Sequence, residues 1–513
     1  MLKLKRRHFL AGAAALLAAP VLGADAPVRG GTLKVSVDQA VSVLHPLLTR
    51  VIPEYLVSEL LYSNLTRLKV DMSLEPDLAE SWSANPDLTE WTFKLRSGIK
   101  FHDGSPFTSA DVVATFKAIL DPANASPGRN NVGPIATVTA VDPQTVSFKL
   151  TSAYADLPVA LAYTNARIIP TAIATGDFKS LASKAVGTGP FKLVSYEPDR
   201  LIVVERNEAY YDPARPYVDR IEIQVYPDLS AEGSALISGS TDIMSSVQPT
   251  EFLRMKDSDG VNVLRVPSGQ FCNINFGCDT APFNDARVRR AIALTVDRQA
   301  MVDFVTEGFG TPGNDTPLNA SYQFFKAIPE REKNIEEAKK LLAEAGHPNG
   351  LEATLIASDK PSARTQLAVA LREMAKEAGI TINVQTMPHA TYLDQVWKKG
   401  SFYVGFYNMQ PTPDGIFKLL YTSDAAWNET RWNNKDFDAL IAAARVTEDK
   451  EKRTALYAKA QALMNEEVPS IIPAFFDVLA AKRSWVEGFQ AHPRASVFRL
   501  DYASLTAAAP KRG

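Results

Sequence analysis

The side chains able to do covalent or metal chemistry are few in this chain and poorly spaced for it. Histidine occurs six times, and once His8 is set aside with the leading residues, no two of the others stand in H-x-x-x-H register. A catalytic zinc takes about three protein ligands, and nothing here presents two on one helical face. Cys272 and Cys278 are six apart; they form a disulfide or remain two buried thiols, and a metal site is the weaker reading because no His or Cys pair joins them at ligand spacing. Neither G-x-S-x-G nor G-x-x-x-x-G-K-[ST] occurs. Gly308-Phe309-Gly310-Thr311-Pro312-Gly313 does fit G-x-G-x-x-G. It follows a helical segment, Arg287 to Phe304, and Pro312 and Pro317 stand where a phosphate-binding helix would begin, so a structural turn is expected instead. What remains is the chemistry of recognition. From Ser401 to Phe417 the chain runs through Phe402, Tyr403, Val404, Phe406 and Tyr407, which suits a half-buried strand, and then meets Pro411, Pro413 and Gly415, the marks of a stiff loop. Such a strand and loop can hold aromatic faces and a few polar tips at the rim of a cleft.

The elements that must position this stretch are those of an ordinary globular chain. With 513 residues, 46% hydrophobic and 22% charged, it has length for two or three domains. Residues 1–24 are expected to be an export signal. Lys3, Lys5, Arg6 and Arg7 form a basic start, Phe9 to Leu22 an apolar run too short for a membrane span, and Gly23-Ala24-Asp25-Ala26 a small-residue end. Cleavage is expected after Ala24, with Ala26 the alternative, and Arg6-Arg7-His8-Phe9-Leu10 resembles a twin-arginine signal. No Cys lies near either position to carry a lipid, so a free product is expected. Loss of the four basic residues takes the formal net charge from −3 to −7, and no long basic block survives, which argues against a nucleic-acid partner.

Along the chain, Gly30 to Val37 alternates as a strand and Glu54 to Leu65 has helical apolar spacing. Trp91, Phe93 and Leu95 share one strand face before Arg96-Ser97-Gly98 turns the chain, and Thr108 to Leu120 is a helix with Asp111 in its first turn. Asn334-Ile335-Glu336-Glu337 is a capping box opening a helix that closes at Gly346. Leu351–Ala357 (strand), Ser362–Ala378 (helix ended by Gly379) and Ile380–Thr386 (strand) have the spacing of a parallel crossover, hence an α/β domain. Phe437, Leu440, Ile441 and Ala444 make a further helical face.

The segment Trp91 to Val112 resembles the signature region of the exported solute-binding proteins of the dipeptide, oligopeptide and nickel transporters, solute-binding family 5. In the same order the chain is similar to that family at Gly187-Thr188-Gly189-Pro190-Phe191, at Glu205 to Tyr211, at Gly239-Ser240-Thr241-Asp242-Ile243, at Pro282 to Ile292 and at Ala338 to Gly346. The resemblance implies an α/β, two-lobed periplasmic binding protein of type II in its large three-domain form, with mixed sheets and a hinge between lobes. Lobe I is expected from 27–66, 193–266 and 487–513, an extra domain from 67–192, and lobe II from 267–486. It further implies a periplasmic receptor, expected to be a monomer, that captures a small molecule or peptide and delivers it to the permease and ATPase subunits of an ABC importer. No cofactor and no enzymatic activity are implied. The rivals from other classes are a secreted esterase or amidase on the same scaffold and a chaperone-like binder of unfolded chains.

The resemblance also points to residues. In peptide-binding relatives an Asp in the stretch matching Phe406 to Phe417 holds the ligand's terminal ammonium; here that position is Met409, and burying an ammonium without an anion costs several kcal/mol. A ligand with no free ammonium there is expected, such as an amino-acid conjugate, a sugar or a metal chelate. Asp414 would substitute only if the loop shifted; otherwise it caps the turn before Phe417. For the Arg that pairs with the carboxylate in dipeptide-binding relatives, the chain offers Lys360, with Arg364 expected on the following helix. Tyr403, Tyr407 and Trp397 are the expected stacking groups, with Trp427 and Trp432 as alternatives to Trp397. Met409 would shape the floor, and Asn408, Gln410, Gln270 and Asn273 would supply neutral hydrogen bonds. Phe271 lies in the same strip as Gln270, with His45 expected to face it from lobe I.

Overall fold

A computed structural model describes residues 27–182 and 184–512; the export signal at 1–24 and Ala26, the alternative cleavage position, lie outside them. The organising element is one mixed, twelve-stranded sheet. Its main strands are β1 (Thr32–Val37), β2 (Phe191–Glu197), β3 (Leu201–Arg206), β4 (Arg220–Val225), β5 (Ile243–Met244), β6 (Val261–Phe276), β7 (Leu351–Ser358), β8 (Ile380–Met387), β9 (Phe402–Tyr407) and β10 (Ala474–Arg483). Across the sheet they run β8-β7-β9-β6-β10-β5-β1-β4-β3-β2.

The expected crossover is present. β7 and β8 pair in parallel from Leu351 opposite Ile380 to Ser358 opposite Met387, joined by helix Ala363–Ala375, whose Leu367, Ala368 and Leu371 are fully buried. Gly379, at φ 78°, turns the chain out of the helix in the left-handed conformation that glycine adopts without penalty. β9 lies between β6 and β7, covered on both faces, which is why Phe402 to Tyr407 is continuously apolar rather than alternating.

β6 is sixteen residues long and serves both halves of the molecule. Its first part pairs with β10 from Val261 opposite Arg483, and its last six residues pair with β9. β10 likewise pairs with β5 at one end and with the short strand Gly310–Pro312 at the other. The glycine-rich Gly308–Gly313 segment is therefore a sheet edge, as its prolines require.

On either side of this shared pair sit separate apolar cores. One gathers β1, β4 and helix Ile52–Leu61 with the residues from Val486 to Leu505, and it continues into a four-stranded antiparallel sheet made of Ala79–Ala84, Glu90–Leu95, Thr145–Leu150 and Ile135–Asp142. Trp91, Phe93 and Leu95 all point into it. The other gathers β6 from Cys272 onward, β7, β8 and β9 with their helices. The molecule is thus two-lobed, α/β, with mixed sheets. No helix among the described residues is long and apolar enough to cross a membrane.

One expectation fails locally. Pro413–Leu420 is a helix, not a stiff loop. Thr412 caps it by accepting from the Gly415 N–H at 3.0 Å, and Pro413 occupies the first helical position, where its missing N–H costs nothing. Proline and glycine acted here as start signals rather than breakers.

Candidate functional site

The register of β6 against β10 shifts between Pro267 and Gln270, so Ser268 and Gly269 leave the ladder where the strand passes from one lobe to the other. Ser268 Oγ donates to the Pro493 carbonyl at 2.6 Å, and Asn319 Nδ2 donates to the Ser268 carbonyl at 2.7 Å. Gly269 is required: a Cβ there would stand 2.4 Å from Tyr322 Cε2 and 2.9 Å from Met409 Cγ. The bulge therefore seats Tyr322 and Met409 side by side.

The end of β9 arrives at the same place. Gln270 Nε2 donates to Asn408 Oδ1 at 2.7 Å, and the Gln410 N–H donates to the Tyr322 hydroxyl at 3.1 Å. Gln270, Asn408, Met409 and Gln410 are thus brought together. Met409 is 3% exposed and belongs to a cluster with Phe271, Tyr322, Tyr407 and Ile416 that also includes Leu68 and Met72 from the N-terminal side of the molecule. The two sides meet again in a cavity of about 330 Å³ lined by Met72, Trp82 and Asp156 on one side and by Phe324, Pro411 and Arg453 on the other. Asp156 and Arg453 form an ion pair buried at both ends.

Behind Met409 stands an aromatic shelf. The rings of Trp397 and Trp427 meet edge to face at 5.5 Å, Trp427 lies 6.2 Å from Tyr407, and Trp397 Nε1 donates to the Tyr407 hydroxyl at 3.4 Å. Trp427 is 40% exposed, so it extends the shelf rather than replacing Trp397. Beneath it Glu429 is buried, accepting from Asn275 Nδ2 at 2.5 Å, and burial pushes its carboxyl up to about 7.

Other expected site residues are committed elsewhere. Tyr403 is fully buried; its hydroxyl donates to the Glu429 carbonyl and accepts from the Lys398 N–H, so it has no free face for stacking. Trp432 is buried against Phe437 and donates to Glu467, inside the lobe rather than at the shelf. Asn273 is buried with its amide on Asn275 Oδ1, and Phe271 is a core ring between Tyr407 and Phe475. His45 does not face the Gln270 strip. Its ring packs 4.2 Å from Phe178, its Nδ1 accepts from the Leu47 N–H, and burial lowers it to about 4, keeping it neutral.

Asp414 lies in the first turn of its helix, buried, 3.3 Å from an Arg445 nitrogen, and Thr412 rather than Asp414 caps that helix. It is not available to replace an anion at Met409. Lys360 is exposed at the end of β7, near His389. Arg364 is on the following helix, buried, with its guanidinium 5.1 Å from the Tyr392 ring centroid and the Glu429 carboxylate in the same region. Cys272 and Cys278 are free thiols, and burial pushes Cys272 up to about 12. Among the described residues no three His, Cys, Asp or Glu side chains gather as a metal site.

Sequence reasoning missed Tyr322 and Arg494, both buried at the crossing point. Each lies in irregular chain with no period to place it, and the only signal was a flanking proline at Pro493.

Comparison with known proteins fits this architecture. The family model described as bacterial extracellular solute-binding proteins, family 5, middle region, matches residues 73–439. The chain is 29% identical over 469 residues to heme-binding protein A of Haemophilus influenzae, covering 85% of each, and 28% identical over 467 residues to the dipeptide-binding protein of Escherichia coli K12, covering 84% of this chain and 87% of that one. Among solved structures, the binding protein AgaA of A. tumefaciens R10 in complex with agropinic acid superposes with a TM-score of 0.76 at 27% identity, over 93% of this chain and 99% of that one. All three are binding proteins.

Proposed function

Because this chain belongs to the bacterial extracellular solute-binding proteins of family 5 and is a binding protein rather than an enzyme, we propose that it is the periplasmic receptor of an ABC importer. It takes one small solute between its lobes and presents the closed form to a permease and its ATPase subunits, acting as a monomer. We divide it as lobe I (27–66, 193–266, 487–513), extra domain (67–192) and lobe II (267–486). Closure is a population shift, so specificity is the difference in affinity between closed and open states.

The observation that carries the ligand reading is Met409. It is a buried apolar side chain at the position where peptide-binding members of the family hold an ammonium, and Asp414 is occupied by Arg445. A free-amine peptide held in that register would bury its charge unpaired. The favoured solute is peptide-like or a conjugate, contacting the Trp397–Tyr407 shelf by stacking and Gln270, Asn408 and Gln410 by hydrogen bonds.

Calorimetric titration with a dipeptide and its N-acetyl derivative tests this. The N-acetyl form should bind at least as tightly as the free amine. A free amine bound tenfold or more tightly than its acetylated form would contradict the reading.

A further inference from the structure

Arg494 is a buried cation without an anion. It is 6% exposed, and its Nε and Nη1 atoms have no hydrogen-bond partner. It pairs with no carboxylate of the described residues; the groups that face it are the Tyr163 ring, 5.7 Å from the guanidinium carbon, and the hydroxyls of Tyr322 and Tyr55. Other buried arginines are held differently: Arg453 by Asp156, Arg298 by Asp315, and Arg289 by the carbonyls of Phe283, Glu467 and Val468. Arg364 is also unpartnered, but it shares its region with Glu429.

The location of Arg494 is as informative as its isolation. The residue before it, Pro493, accepts the Ser268 hydrogen bond at the β6 bulge. Tyr322, which faces it, is the ring seated over Gly269 beside Met409. Tyr55, in helix Ile52–Leu61, comes from lobe I and Tyr163 from the extra domain, whereas Tyr322 belongs to lobe II. Arg494 therefore stands where both lobes, the crossing strand and the end of β9 converge. With two of its three guanidinium nitrogens left without a hydrogen bond, the charge is offset only in part by the Tyr163 ring.

We propose that Arg494 is the anchor for a carboxylate of the solute, held two-pronged by the guanidinium and flanked by the hydroxyls of Tyr55, Tyr163 and Tyr322. This rests on the reading of the cleft as the solute site, and it narrows the solute to an acid with no cationic group at Met409. A planar fork matched to two oxygens favours carboxylate, and contacts from both lobes to one anion would favour the closed form.

The test uses thermal unfolding of purified protein stripped of co-purified solute, at constant ionic strength set with chloride. The probes are N-acetyl-alanyl-alanine and its C-terminal amide. Wild type should be stabilised saturably by the acid, with the amide at least tenfold weaker in apparent affinity. Arg494→Met should melt higher than wild type without probe, because the unpaired charge is gone, and should lose the response to the acid by about a hundredfold or more. Arg494→Lys should keep part of it. The proposal is overturned if wild type answers acid and amide alike, or neither, or if Arg494→Met keeps the acid response. It is equally overturned if Arg494→Met melts lower than wild type and Arg494→Lys restores stability, which is the mark of a structural residue. The same samples, exposed to a metabolite extract and weighed by native mass spectrometry, separate the two levels. Uptake of a neutral solute by wild type removes the carboxylate anchor and leaves the receptor; uptake of nothing removes both.

Discussion

Burial raises the Glu429 carboxyl from 4.5 to about 7, and the sign of its effect on stability follows. A carboxyl that holds its proton more tightly folded than unfolded contributes stability that is fully present below about 4.5 and lost as pH rises through about 7. Glu429→Gln keeps the shape and the acceptor for Asn275 without the titration. Denaturation at several pH values should therefore show a flatter profile for the variant between pH 4.5 and 7, and a gain at pH 8 on the order of 2–3 kcal/mol. Parallel profiles would contradict this assignment. Asp414 and Glu232 are also raised by burial, while His45, His102 and His492 are lowered and act in the opposite direction, so only the difference between variant and wild type isolates Glu429. At this scale the sequence exposed residues whose neighbours lie close by in the chain. Asn408, Met409 and Gln410 were legible as neighbours because one strand end fixes them together, whereas the meeting of Gln270 with Asn408, 138 residues away, depends on the pairing of β6 with β9. Tyr403 and Trp432 were not, since the same aromatic serves a core or a cleft depending on which face of its element is covered. Nor was Arg494, whose isolation from the carboxylates of the described residues is a property of three dimensions.

Among the elements, the β7–helix–β8 crossover could be read directly, because hydrophobic period and cap residues are local signals, whereas β9 reads as half-buried in the sequence and is covered on both faces in the fold. Helix Pro413–Leu420 was missed because Thr-Pro-Asp-Gly carries both a turn signature and a helix start, and only the burial of Ile416, Phe417 and Leu420 against their neighbours decides between them. The β6 bulge was equally hidden, since Pro-Ser-Gly within a strand gives a break but not its purpose. That purpose is steric. Gly269→Ala would drive a methyl group into Tyr322 and Met409, and a loss of about 1–3 kcal/mol in chemical denaturation is expected. A neutral result would mean that the Tyr322 ring is not held against this backbone.

At the scale of the whole molecule, two apolar cores are joined by β6 and β10 and touch again through the Met409 cluster and the buried Asp156–Arg453 pair. Such contacts across a cleft belong to a closed arrangement, and a solute lodged between the lobes would add to them. The family resemblance was legible because its blocks recur in order from Trp91 to Gly346, within the residues 73–439 that the family model matches, whereas the ligand was not, because it depends on which charges meet when the lobes close. The most direct measurement is native mass spectrometry of the protein purified without refolding, followed by release of whatever is bound. One small solute per chain is expected, of a single mass, acidic and without a free amine at the Met409 end. A ladder of free-amine peptides, or a chain that carries and captures nothing, would contradict it.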